Sequence, residues 1–209
     1  MKLKYPKMKT GLMMFAIGIL LECVGNVLLW ANNFAVLMWE NPFPLNTLGN
    51  VYMLIGEILM VIGLLVAAKE RRRYITVLLV LLGKHVVSFW HGFFLGLGVS
   101  FFSTPLGIIS KIISFISIWF VCAETAKLLK EEGIEKLTKL CLPTYIGYGI
   151  FYGYSVLVIL ASDLMNAMQM VFAISSLCVN IAVFVGGITY ILFFFLAASR
   201  IKKISLESE

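Results

Sequence analysis

Long apolar runs separated by short polar breaks dominate this chain. They fall at about 11–31, 47–68, 74–96, 105–127, 141–161 and 167–198. A run of 18 or more apolar residues is long enough to cross the hydrocarbon core of a bilayer as a helix. The pattern therefore predicts an all-α, polytopic membrane bundle of six transmembrane helices, forming a single transmembrane domain over residues 1–209. The last run exceeds one perpendicular crossing at a rise of about 1.5 Å per residue. It is expected either to begin as an interfacial segment or to kink near Gly186–Gly187. The first run has no A-x-A cleavage site, so it is expected to be a retained span rather than a signal peptide.

The breaks between runs differ in charge. Lys2, Lys4, Lys7 and Lys9 precede the first run; Lys69, Arg71, Arg72 and Arg73 follow the second. Lys127, Lys130, Lys136 and Lys139 follow the fourth, and Arg200, Lys202 and Lys203 close the chain. These are 15 of the 17 basic residues, and the breaks that alternate with them, "WENPFPLN" and "GVSFFSTP" among them, carry none. By the positive-inside rule, the alternation predicts that N-terminus and C-terminus are both cytoplasmic. A sharp external turn is expected around Pro42 and Pro44, with Trp30, Trp39 and Tyr74 near the interfaces as aromatic belts.

Composition agrees with this reading: 61% of residues are hydrophobic, 13% are charged and the mean hydropathy is +0.97. Soluble domains carry about a quarter charged residues. The net charge of +6 does not point to nucleic acid, because the basic residues line one membrane face, where anionic lipid attracts them. The expected location is the cell membrane, multi-pass, with the lipid bilayer as the first partner. A homo-oligomer or a partner membrane subunit fits a chain with no output domain. Cys23, Cys122, Cys141 and Cys178 form no CxxC pair and read as small core hydrophobes.

Two basic residues remain, Lys84 and Lys111, both inside spans, as are Glu22 and Glu57. Ionisable groups in hydrocarbon cost at least a few kcal/mol and usually face an interior or a cavity. Glu22, Glu57, Lys84 with His85, and Asn180 all fall near the middles of their spans. Helical phase, in which residues i, i+3, i+4 and i+7 share a face, groups polar residues into stripes. Span one aligns Gly18, Glu22 and Asn26; span three aligns Lys84, Ser88 and His91; span four aligns Ser110, Ser114 and Ser117. Span five aligns Tyr145, Tyr148, Tyr152 and Ser155. Gly11, Gly18, Gly25, Gly92 and Gly96 are expected to allow close backbone approach between helices. Residues 47–69 and 105–127 align without a gap, which duplication or a shared span boundary explains equally.

These stripes suggest binding or transport of a small polar solute or cation, with proton coupling as one form of it. Substrate and ion sites of transporters commonly lie near the midplane. The substrate or ion site is expected to draw on Glu22, Asn26, Glu57, Lys84, His85, Ser88, His91, Tyr148, Tyr152 and Asn180. Glu22 and Glu57 would be cation or proton sites, Lys84 a counter-charge, and the histidines proton relays. The alternative is an accessory or sensor subunit with a purely structural polar core. A membrane haem protein is disfavoured: His85 and His91, six residues apart, point about 120° away from each other on a helix and cannot clamp one haem. A metal-dependent membrane hydrolase is disfavoured by the lack of HExxH and GxSG. The sequence specifies no cofactor, and it makes an enzyme the less favoured reading. No residue motif ties the chain to a known family.

Overall fold

The computed structural model describes residues 6–38, 45–161 and 169–207. All regular structure among them is helical: α1 (Pro6–Met38), α2 (Leu45–Ala68), α3 (Arg73–Gly96), α4 (Ser100–Glu131), α5 (Glu135–Thr138), α6 (Cys141–Leu160) and α7 (Gln169–Glu207). Among the described residues six helical segments are long and apolar enough to cross a membrane. The expected turn at Pro42 and Pro44, Trp39, and residues 167–168 lie outside the described residues. The chain divides into two compact units, Met1–Arg72 with Phe194–Glu209, and Arg73–Phe193.

The first unit is built on an antiparallel α1–α2 hairpin. Glycines recur every seven residues on both helices, at Gly11, Gly18 and Gly25 and at Gly49, Gly56 and Gly63. A heptad repeat keeps one face of a helix turned to its partner. Here Gly11 faces Gly63, Gly18 faces Gly56 and Gly25 faces Gly49. A Cβ on Gly18 would stand 2.6 Å from the Gly56 carbonyl oxygen, and one on Gly56 would stand 2.6 Å from that of Gly18. Only glycine fits such reciprocal contacts, which bring Cα–H groups against carbonyls and helix against helix. The unit is completed by the end of α7, where Phe194 meets Phe15 edge-on at 4.9 Å and Ala197, Ala198 and Ile201 are buried.

The start of α1 is tied down by a residue far away in sequence. The Lys7 and Met8 backbone N–H groups donate to Glu70 Oε1 (3.0 Å) and Oε2 (2.6 Å). The first N–H groups of a helix have no internal acceptor, and a carboxylate there also meets the positive end of the helix dipole. Glu70→Ala is expected to lower stability by about 1–2 kcal/mol, the usual loss of an N-cap, with Glu70→Gln intermediate. Thermal unfolding of the purified variants checks this; wild-type melting of Glu70→Ala would remove the role.

The second unit is a chain of helical pairs. α3 and α4 form an antiparallel hairpin turned at Gly98 (φ +72°), and α4 hands on to α5 at Gly133 (φ +77°). Both glycines close Schellman motifs, with Val99 N–H donating to the Phe94 carbonyl and Ile134 N–H to the Leu129 carbonyl. α6 packs on α4, and α6 meets α7 where a Cβ on Gly147 would stand 2.8 Å from the Gly186 Cα. Thr144 and Thr189 hydroxyls bond beside that contact at 3.1 Å.

α7 is helical on both sides of Gly186–Gly187, where Gly186 packs closely on α6. Two expectations are corrected. A Cβ on Gly92 or Gly96 would meet nothing within 4 Å, because both lie on the exposed face of α3, away from the His91 side that packs on α4. Tyr74 is fully buried, not lipid-facing, and its hydroxyl bonds Thr125 Oγ1 at 2.8 Å.

The two hairpins bury matching positions. Met8, Gly11, Leu12 and Phe15 of α1 correspond at one constant offset to Tyr74, Val77, Leu78 and Leu81 of α3, and all eight are buried. Gly49, Gly56, Gly63, Leu64 and Ala67 of α2 correspond in the same way to Gly107, Ser114, Val121, Cys122 and Thr125 of α4, again all buried. The alignment of residues 47–69 with 105–127 thus superposes the faces that pack.

Candidate functional site

The matched hairpins differ where the first is tightest. Continuing the offset sets Gly18 of α1 against Lys84 of α3, Glu22 against Ser88 and Gly25 against His91. Where the first hairpin closes backbone on backbone, the second carries a cation, a hydroxyl and an imidazole. Its seam on α4 is small and hydroxylated: Ser103, Gly107, Ser110, Ser114 and Ser117 are all buried. That seam repeats at three- and four-residue spacing, so one stripe of α4 faces its neighbours throughout.

Hydrogen bonds fix this seam. The Ser88 and Ser110 hydroxyls bond across it at 2.7 Å. His91 Nδ1 lies 2.7 Å from the Ser103 carbonyl oxygen. A carbonyl only accepts, so Nδ1 carries the proton; in the neutral ring Nε2 is then the acceptor. The imidazole fills the space left by Gly107, whose Cβ would stand 2.9 Å from its Cε1. Ser114 and Ser117 donate to the Ser110 and Ile113 carbonyls within α4. At one end of the hairpin Arg73 pairs with Glu124 at 3.6 Å.

Lys84 sits at the centre of the 24-residue α3, half-buried and with polar interactions. The Ser88–Ser110 contact sets the antiparallel register, which brings Lys84 level with Ser114 and Lys111 level with Val87. The two lysines are therefore about three residues, or 4.5 Å, apart along the axis. His85, next to Lys84, is half-buried and also engaged.

On α6, Tyr148 and Tyr152 stack with ring centroids 6.2 Å apart, and Tyr190 of α7 meets Tyr148 edge-on at 5.7 Å. Tyr154 bonds Ser175 at 3.1 Å. Counting along the α4–α6 and α6–α7 contacts puts Asn180 at the depth of Lys84, but its side chain is exposed.

In the first unit Glu22 and Glu57 are half-buried and flank the Gly18–Gly56 contact. The Glu22 backbone nitrogen lies 2.9 Å from where a Cβ on Gly56 would be, and Glu57 follows Gly56. In that register Glu22 is opposite Tyr52 and Glu57 opposite Ile17, about five residues or 7.5 Å apart along the axis. Both carboxylates have polar interactions. Asn26 is exposed and donates to the Glu22 backbone carbonyl at 2.9 Å.

One grouping escaped the sequence pattern. Cys122 and Cys141 are buried together between α4 and α6, with Cys141 Sγ 4.0 Å from the Cys122 carbonyl oxygen. They are nineteen residues apart, with no linear spacing to signal it. Among the described residues no three of His, Cys, Asp and Glu come together as a metal-ligand group. No family model, no curated protein and no solved structure matches this chain.

Proposed function

We propose that this chain is a multi-pass protein of the cell membrane, with both termini cytoplasmic, that binds and moves a small polar solute. Lys84 is the counter-charge for the solute. Glu22 and Glu57 are the cation or proton sites, and Ser88, His85, His91, Asn26, Asn180, Tyr148 and Tyr152 supply hydrogen bonds or relay protons. The observation that carries this reading is the α3–α4 seam: it has an ammonium group at the centre of a membrane-length helix, at the position where the matching hairpin has glycine. A charge at that depth is costly and buys little stability, because desolvation consumes most of any attraction. Function is the better reason for it.

A second reading is favoured by the helix-to-helix bonds Tyr74–Thr125 and Ser88–Ser110, which serve a structural polar core equally well. One experiment separates the two. The purified protein is melted against a panel of small amines, amino acids, carboxylates and sugars. Any stabilising solute is then followed by uptake into proteoliposomes. Lys84→Met is expected to cut that uptake at least about tenfold while melting within about 1 kcal/mol of wild type. A large loss of stability in Lys84→Met, together with no stabilising solute for the wild type, establishes the structural core instead.

A further inference from the structure

Lys111 is the charge that the reading above leaves without a task. It lies within a membrane-length helix, half-buried, next to the Ser88–Ser110 hydrogen bond. In the matched hairpin its place is taken by Met53, whose side chain lies across the seam against Gly25, the counterpart of His91. A residue at that place borders the seam. Among the described residues the Lys111 side chain makes no ion pair and no hydrogen bond, whereas Lys84 has a polar or electrostatic interaction. By the Ser88–Ser110 register, the like charge of Lys84 lies about one helical turn away along the axis. Two ammonium groups in one membrane hairpin repel each other, more strongly the drier their surroundings. No gain in folding accounts for the second one.

The groups that border this part of the seam are mostly donors. An ammonium carries three N–H donors and no acceptor, and each serine adds an O–H. Lysine also serves as a point-charge binder of phosphate and carboxylate. From this we infer that Lys111 and Lys84, with Ser88 and Ser110, form a binding site for the carboxylate or phosphate of a small soluble anion. The inference rests on the solute-binding reading and names its substrate class. Depth selects the source. Lys84 is at the middle of a helix of about 36 Å, roughly 18 Å from either end. A lipid headgroup sits beyond the hydrocarbon boundary, about 15 Å from the midplane. A soluble anion entering the seam reaches both lysines, and a headgroup in its leaflet does not.

The test uses the full chain in detergent without added lipid, with inorganic phosphate and succinate as probes against chloride at equal ionic strength. Both lysine-directed probes are expected to raise the melting temperature of the wild type. Lys111→Gln is expected to weaken that effect at least about tenfold in concentration. Without probe, Lys111→Gln is expected to melt no lower than wild type, because a repulsion has been removed; Lys111→Arg, which keeps the charge, retains part of the response. Should Lys111→Gln fail to fold, wild-type protein is treated with an amine-acylating reagent, and phosphate is expected to protect Lys84 and Lys111, read by mass spectrometry. A neutral or cationic solute that stabilises wild type and Lys111→Gln alike, with no response to either anion, overturns this inference and leaves the transport reading standing. No stabilisation by a solute of any charge overturns both. A response that requires anionic phospholipid vesicles overturns the soluble-anion assignment.

Discussion

Gly18→Val is expected to cost the α1–α2 hairpin its close contact and most of the folded protein. A Cβ at residue 18 would stand 2.6 Å from the Gly56 carbonyl oxygen and 2.9 Å from the Met60 backbone nitrogen. Flexible side chains can move aside, but these atoms belong to the backbone of a regular helix. The helices must therefore separate, and the paired contacts at Gly11–Gly63 and Gly25–Gly49 loosen with them. Overpacking a well-filled core usually costs about 1–3 kcal/mol, and a rigid obstacle puts this variant at or above about 3 kcal/mol. Valine branches at Cβ, so the methyl groups add to the clash. The measurement is the yield of monodisperse protein and its thermal melting. Gly92→Ala is the matched control: a Cβ there meets nothing within 4 Å, and alanine favours a helix over glycine by up to about 1 kcal/mol. Gly18→Val melting like the control would mean that the hairpin does not depend on this contact.

That contact illustrates what the sequence displays and what it hides. The six apolar runs are legible because a membrane-length stretch is a local property of the chain. The heptad of Gly11, Gly18 and Gly25 is legible for the same reason. Its antiparallel partner, Gly49–Gly56–Gly63, is equally periodic, but the pairing of the two sets depends on how the hairpin turns, which no local pattern records. Helix ends are not legible where polar helix formers continue a helix beyond its apolar run: α4 reaches Glu131, through "AETAKLLKE", past the apolar run that ends at about 127. The burial of Tyr74 is not legible because its partner, Thr125, lies fifty-one residues away. Cys122 and Cys141 escaped for the same reason. Among candidate site residues, the stripe of Lys84, Ser88 and His91 was visible as a helical face. That Ser103 and Ser110 receive it on α4 became visible only with the hairpin register.

The alignment of 47–69 with 105–127 acquires physical content from the same register. A shared span boundary accounts for matching ends, but it does not require matching buried faces. The coincidence of Gly49, Gly56 and Gly63 with Gly107, Ser114 and Val121 extends through the interior of the span. It is matched on the preceding helices by Met8 through Phe15 and Tyr74 through Leu81. One packing scheme thus serves a seam of glycine in one hairpin and a seam bordered by serine, histidine and lysine in the other. In the second seam the Ser88–Ser110 and His91–Ser103 hydrogen bonds do the closing that glycine contacts do in the first.

Glu57→Gln is expected to abolish solute uptake while leaving the protein folded and inserted. Glutamine matches glutamate in volume and keeps its hydrogen-bonding oxygen, so the Gly18–Gly56 contact beside it is undisturbed. What it removes is the ability to hold a proton or a cation. In proteoliposomes, uptake of a labelled solute that stabilises the wild type should fall by at least two orders of magnitude, about 2.7 kcal/mol. Melting should stay within about 1 kcal/mol of wild type. Two transport modes then locate the defect. If Glu57 carries the coupling proton, exchange of labelled for unlabelled solute persists in Glu57→Gln while net uptake down a proton gradient is lost. If Glu57 binds the solute, both are lost together, and the stabilising effect of the solute on melting disappears as well. Wild-type uptake in Glu57→Gln would remove Glu57 from the transport cycle and make Glu22→Gln the next variant to test.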